Sequence, residues 1–111
     1  MRRNKYGNRK AHIDGITFDS QKEGKRYIEL KTLERSSVIQ DLELQPEYPL
    51  EGRDGPILTP TGRKAKYKAD FRYFDVHKQK WVIEDVKGFR TPEYQLKKAI
   101  LAASGIEVVE V

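Results

Sequence analysis

Asp85 and Lys87 stand two residues apart in the strand-like run Trp81–Gly88, and Asp70 lies within an earlier run in which apolar and polar residues alternate. Residues two apart on a β-strand project to one face, so Asp85 and Lys87 share a face and Glu84 points to the other. A turn centred on His77-Lys78 sets residue 75 against 80 and, at the same register, Asp70 against Asp85. Directly opposed residues share a face, so two aspartates stand side by side with Lys87 a step beyond. Like charges so placed destabilise a sheet, and the pair therefore calls for a cation or another purpose. A register slip of one residue breaks this pair and makes Glu84 the acid in question instead. The chemistry that fits is phosphoryl-bond hydrolysis. Mg²⁺ takes hard oxygen ligands, typically one or two carboxylates with waters and substrate phosphates. A bound cation activates water and neutralises charge developing on a phosphodiester, and a nearby lysine can steady the crowded phosphate.

An isolated D-x-K is most simply a surface ion pair. Its setting here argues for more. The D-x-K ends a strand-like run (W-V-I-E-D-V-K-G), a preceding run offers an aspartate at matching register, and helical segments flank both.

Those flanking elements follow from local signals. Residues 1–11 read as a basic arm and 12–111 as one domain. Asp14-Gly15, between Ala11–Ile13 and Ile16–Phe18, is a tight hairpin signal. Ser20 and Glu23 have capping-box spacing and open a helix to about Arg35, with Tyr27, Leu30 and Leu33 inward. Val38–Leu50 is extended, and Pro46 and Pro49 confine its later part to a sheet edge. Residues 51–62 read as a loop. Ala65, Tyr67, Ala69, Phe71 and Tyr73 alternate with polar residues and predict one strand, followed by a strand over Trp81–Lys87. Thr91-Pro92 starts a second helix with Leu96, Ile100 and Ala103 on one face, and Gly105 ends it. Ile106–Val111 is a last strand, parallel to Trp81–Lys87 by the crossover rule. The class is α+β: a helix, a three-strand meander, a helix and a strand, giving a mixed sheet flanked by helices.

The 111 residues carry 22 Lys and Arg against 17 Asp and Glu, a net charge of +5 that nominates a polyanion as partner. Arg2, Arg3, Lys5, Arg9 and Lys10 form one acid-free cluster, and Arg63, Lys64, Lys66 and Lys68 run directly into Asp70. Zero cysteines exclude disulfides and thiolate zinc, and the lone His12 and His77 make no zinc site. No apolar run is long enough for a membrane span, no signal-peptide pattern is present, and a reducing cytoplasmic setting fits.

With these residues in view, the chain resembles the PD-(D/E)xK nuclease superfamily. More closely, it looks like a family of small phage and prophage proteins of Holliday-junction-resolvase-like character. Phe18–Leu30, Asp41–Pro46, Tyr67–Phe71 and Glu84–Gly88 carry the likeness, together with the element order. Ala69 stands where the superfamily's name has a proline. The resemblance implies a restriction-endonuclease-like core and Mg²⁺- or Mn²⁺-dependent cleavage of DNA, with branched or recombination-intermediate DNA as the substrate, in a bacterial cytoplasm. It implies metal at Asp70 and Asp85 with Lys87 assisting water, and a further acid from the first helix that maps to Glu23. No small-molecule cofactor is expected. Junction cutting calls for two sites and hence a homodimer. Gln45 and Lys97 are candidate supporting residues; Lys97 and Lys98 could both touch phosphate, with solvent exposure of one helix face as the simpler reading, and Trp81 and Tyr94 read as core. The rival expectation is a non-catalytic nucleic-acid-binding module, which binds in a salt-dependent way and cuts nothing.

Overall fold

The computed structural model describes residues 9–86 and 91–111. The chain runs β1 (Ala11–Ile13), β2 (Ile16–Phe18), α1 (Gln21–Arg35), β3 (Ile39–Leu44), β4 (Glu47–Pro49) and β5 (Glu51–Gly52). It continues through β6 (Gly55–Pro56), β7 (Lys66–Lys68), β8 (Phe71–Asp75), β9 (Lys80–Asp85), α2 (Pro92–Ala103) and β10 (Val109–Glu110). β1 and β2 close on Asp14-Gly15, both at positive φ as a two-residue hairpin turn requires. The Tyr27 hydroxyl donates to Asp14 at 2.9 Å, tying this hairpin to α1. Gly24 lets the two meet: a Cβ there would lie 2.8 Å from that of Ala11.

A four-stranded sheet in the order β10-β9-β8-β3 forms the centre. β3, β8 and β9 are an antiparallel meander, and β10 lies parallel to β9. The molecule is therefore α+β, with a mixed sheet. Phe71 pairs with Glu84 and Asp75 with Lys80, which is the register read from the His77-Lys78 turn. α1 and α2 cover opposite faces of the sheet. Val82 packs with the α1 cluster (Tyr27, Leu30, Phe71, Tyr73), whereas its neighbour Ile83 packs with Leu101, Val108, Tyr67 and Ala69. Both helices start as their sequences dictate, with Ser20 Oγ accepting from the Glu23 amide and Thr91 Oγ from the Tyr94 amide. Gly105, at φ 87°, follows α2.

Five readings of the sequence need correction. The alternating run 65–73 is two strands, not one. It is interrupted at Ala69-Asp70: both parts pair with the same facing segment in one register, but β8 also has β9 on its other side, whereas β7 pairs with β4 alone. Residues 51–62 hold a small hairpin, β5 with β6. Ala11, assigned to the basic arm, is buried in β1. On α2, Leu101 is the buried residue, while Leu96 is 63% exposed and Ala103 is exposed as well. Trp81 is 44% exposed rather than core, and stacks against Arg72 with the guanidinium 3.9 Å from the ring centroid. Tyr94 is half-buried against Tyr67.

Candidate functional site

The break between β7 and β8 is matched by one between β3 and β4. Gln45, at φ 53°, donates its amide to the Asp70 carbonyl at 2.9 Å, and the Ala69 amide donates to Pro46 at 3.0 Å. The two segments nevertheless stay paired in one register through this point, 43–44 against 71–72 and 47–49 against 66–68. Asp70 occupies the interruption between the two stretches of ladder, at the end of β9.

Asp70 and Asp85 are brought together there by reciprocal contacts. The Asp70 amide donates to Asp85 Oδ1 at 3.0 Å and to the Glu84 carbonyl at 3.1 Å. The Val86 amide donates to Asp70 Oδ2 at 2.7 Å. Each carboxylate therefore grips the backbone of the other strand. These are bonds to charged acceptors, stronger than neutral ones, and they offset the repulsion of two acids across a ladder. A carboxylate offers two oxygens and about four acceptor sites, so one amide contact leaves capacity to ligate a cation. Paired hard-oxygen donors on facing strands are a donor set that suits Mg²⁺ or Mn²⁺. Among the described residues, no group of three or more His, Cys, Asp or Glu side chains is gathered as a metal cage.

Glu84 is on the other face, as the alternation requires, and is bound into a separate cluster. The Arg26 guanidinium donates to both its oxygens, at 2.9 and 2.6 Å, and the Tyr73 hydroxyl donates to it as well. The bond to Glu84 raises the Arg26 guanidinium above its ordinary range, and burial, then the same bond, raises the Tyr73 phenol. Glu84 is thus a structural anion clamping β9 to α1, immediately beside Asp85. Glu23 stands one helical turn before Arg26 on the buried face of α1 and is only 5% exposed. Its amide makes the cap to Ser20, so the observed half of the capping box does not use its carboxylate.

The remaining sequence candidates are spread. Lys87, Arg2, Arg3 and Lys5 lie outside the described residues. Arg9 and Lys10 are exposed at the start of β1, and Arg63, Lys64, Lys66 and Lys68 are exposed before the break. Lys97 lies in α2 facing the last two of these across a cleft. Gln45 adjoins Asp70 through its backbone. Lys98 is half-buried and 3.4 Å from Glu110, not simply solvated. Sequence reasoning missed Arg26 and Tyr73. Arg26 had one usable signal, its place one turn after Glu23 on the same helical face.

No helix among the described residues is long and apolar enough to cross a membrane. No curated protein and no solved structure matches the chain. A family model described as a protein of unknown function (DUF1064) matches residues 3–109. Nearly the whole chain is covered by that match, and the protein belongs to this DUF1064 family.

Proposed function

We propose that the protein is a divalent-metal-dependent endonuclease that hydrolyses phosphodiester bonds in DNA, acting on branched or recombination-intermediate structures. The observation that carries this reading is the reciprocal clasp of Asp70 and Asp85 at the end of β9. The helix–meander–helix–strand order supports a restriction-endonuclease-like core for it. The exposed lysines and arginines preceding Asp70 supply the field that draws a polyanion to the pair.

Asp70 and Asp85 would hold Mg²⁺ or Mn²⁺; Glu23, the further acid the resemblance implies, is not gathered with them among the described residues. Such a cation, when bound, lowers the pKa of water and neutralises charge on the phosphodiester. Asp70 and Asp85 keep their geometry through backbone amides, so little reorganisation accompanies binding. Lys87 is assigned to orienting the attacking water and donating to the phosphate oxygen. A homodimer would present two sites to a junction.

The test is cleavage of four-way junction, flap, single-stranded and duplex DNA with and without Mg²⁺, in wild type and in Asp70→Asn. Salt-dependent binding without cutting under every condition would replace this reading with a non-catalytic binding module.

A further inference from the structure

Alternation puts Arg72 and Phe74 of β8 and Trp81, Ile83 and Asp85 of β9 on the face of the central sheet that carries α2. Leu101 of α2 packs with Ile83, and the cover ends there, leaving Trp81 44% exposed. On one side Trp81 is held by β8. The Phe74 ring meets it edge-on with centroids 5.5 Å apart, and the Arg72 guanidinium lies 3.9 Å from the indole centroid. Arg72 is itself fixed by Glu43 at 2.8 Å. On the other side β10 joins β9 only opposite Glu84 and Asp85, so among the described residues no strand flanks Trp81 there. The indole is thus set in place on one side and open on the other, and a ligand that stacks on it loses little entropy in ordering it.

The size of the opening decides what it fits. An aromatic side chain buries roughly 150–250 Å², so the exposed share of Trp81 is about 100 Å². Val38, bonded through its backbone to Val76 at the hairpin end, is 45% exposed and adds less. A stable protein partner or a second copy of the chain takes about 800 Å² a side, far more than this patch offers. One planar ring needs no more than is open. Among planar ligands a nucleobase matches the charge, because its phosphates are drawn to a chain of net charge +5 whose exposed Lys78 and Lys80 side chains make no ion pair among the described residues. Stacking on an aromatic ring beside an arginine is the usual way a protein holds a single strand.

We propose that Trp81 is a stacking platform for an unpaired nucleobase, taken from a single strand or from the branch point of a DNA structure. A base inside a continuous duplex is covered on both faces by its neighbours and has no face to offer. Trp81 and Asp85 share a face four residues apart, about 13 Å along β9, which puts the stacked base and the acids on one bound molecule. That this molecule is DNA rests on the nuclease reading, whereas stacking itself requires no cleavage.

Trp81 is the single tryptophan of the chain, so indole emission reports this position alone. The test is titration in chelator with an oligothymidine strand and with a blunt duplex of equal length, following emission and, separately, the anisotropy of labelled DNA. The single strand should quench the indole, and the duplex should leave it unchanged at saturation. Trp81→Leu should weaken single-strand binding ~10-fold, whereas Trp81→Phe, which keeps a ring, should weaken it no more than ~3-fold. Both variants should keep the wild-type slope of log K against log salt, because a lost stack releases no counterions, and a lost phosphate contact would flatten it. An indole unmoved by saturating single strand, or quenched equally by duplex, overturns the platform, and this arm uses wild type alone. Trp81→Leu that folds and binds the single strand as wild type does also overturns it. So does a wild-type mass that rises to that of a dimer with concentration and stays monomeric in Trp81→Leu, which gives the patch to a second copy. If the platform fails while wild type cuts DNA with Mg²⁺, the nuclease reading survives alone. Quenching and weakened binding in a protein that never cuts leave the platform standing and remove the nuclease.

Discussion

Glu23 is the residue at which structure and chemistry separate most cleanly. Ser20 receives the backbone amide of Glu23, and a change of side chain leaves that bond in place. Its burial on α1, one turn before Arg26, puts the carboxylate on the face of the helix that meets the sheet. Glu23→Gln preserves shape and removes only charge, so stability should change by no more than about 1 kcal/mol. If the carboxylate serves the cation, cleavage should fall at least ~100-fold, equivalent to about 2.7 kcal/mol of transition-state stabilisation. A variant that melts normally and cuts at the wild-type rate would make Glu23 purely structural. Tyr73 gives a pH signature at the same scale. Burial and its bond to Glu84 raise the phenol above the ordinary tyrosine value. A raised acid stabilises the fold below the unfolded pKa, near 10, and that contribution is lost as pH climbs through the folded value. Urea melts between about pH 9 and 11 should therefore show stability falling in wild type and falling less steeply in Tyr73→Phe. A residual slope is expected, because burial and Asp14 raise Tyr27 too.

At the scale of elements, the clamp between α1 and β9 holds the acids in register. Arg26→Met keeps the aliphatic stem but strands the buried Glu84 carboxylate. The loss should be about 3 kcal/mol, the low end for breaking a buried pair, since Arg26 is partly exposed. Thermal unfolding that shifts by less than about 3 °C would show that the pair contributes little. Much of this layer was legible in the sequence. Ser20 and Thr91 announce helix starts, Asp14-Gly15 a hairpin, and the His77-Lys78 turn fixes the β8–β9 register that aligns Asp70 with Asp85. The break at Ala69-Asp70 was not legible, because alternation in residues 65–73 is the same whether a strand has neighbours on both sides or on one. Nor could Glu84 be assigned, since its partners Arg26 and Tyr73 come from distant segments. The exposure of Trp81 has a similar origin: α2 ends over Leu101 and Ile83, and the hairpin end of β9 extends past that cover.

For the whole molecule, the surplus of cations sets how the protein finds its partner. Arg2, Arg3, Lys5, Arg9 and Lys10 precede Ala11, the first buried residue among those described. Deleting residues 2–10 should leave the melting temperature nearly unchanged. It should weaken DNA binding about equally for all sequences and flatten the dependence of log K on log salt. Removal of these five cations with no change in that slope would place the arm away from phosphate. The most direct test of the central claim is the Mg²⁺ dependence of DNA cleavage by wild type beside Asp70→Asn. Asparagine keeps an oxygen for the Val86 amide, so the fold and DNA binding persist while the paired charge is gone. The account predicts cutting by wild type with Mg²⁺ or Mn²⁺, none with chelator, and at least a ~100-fold loss in Asp70→Asn, about 2.7 kcal/mol. Cutting that survives chelator, or that Asp70→Asn performs at the wild-type rate, would contradict it.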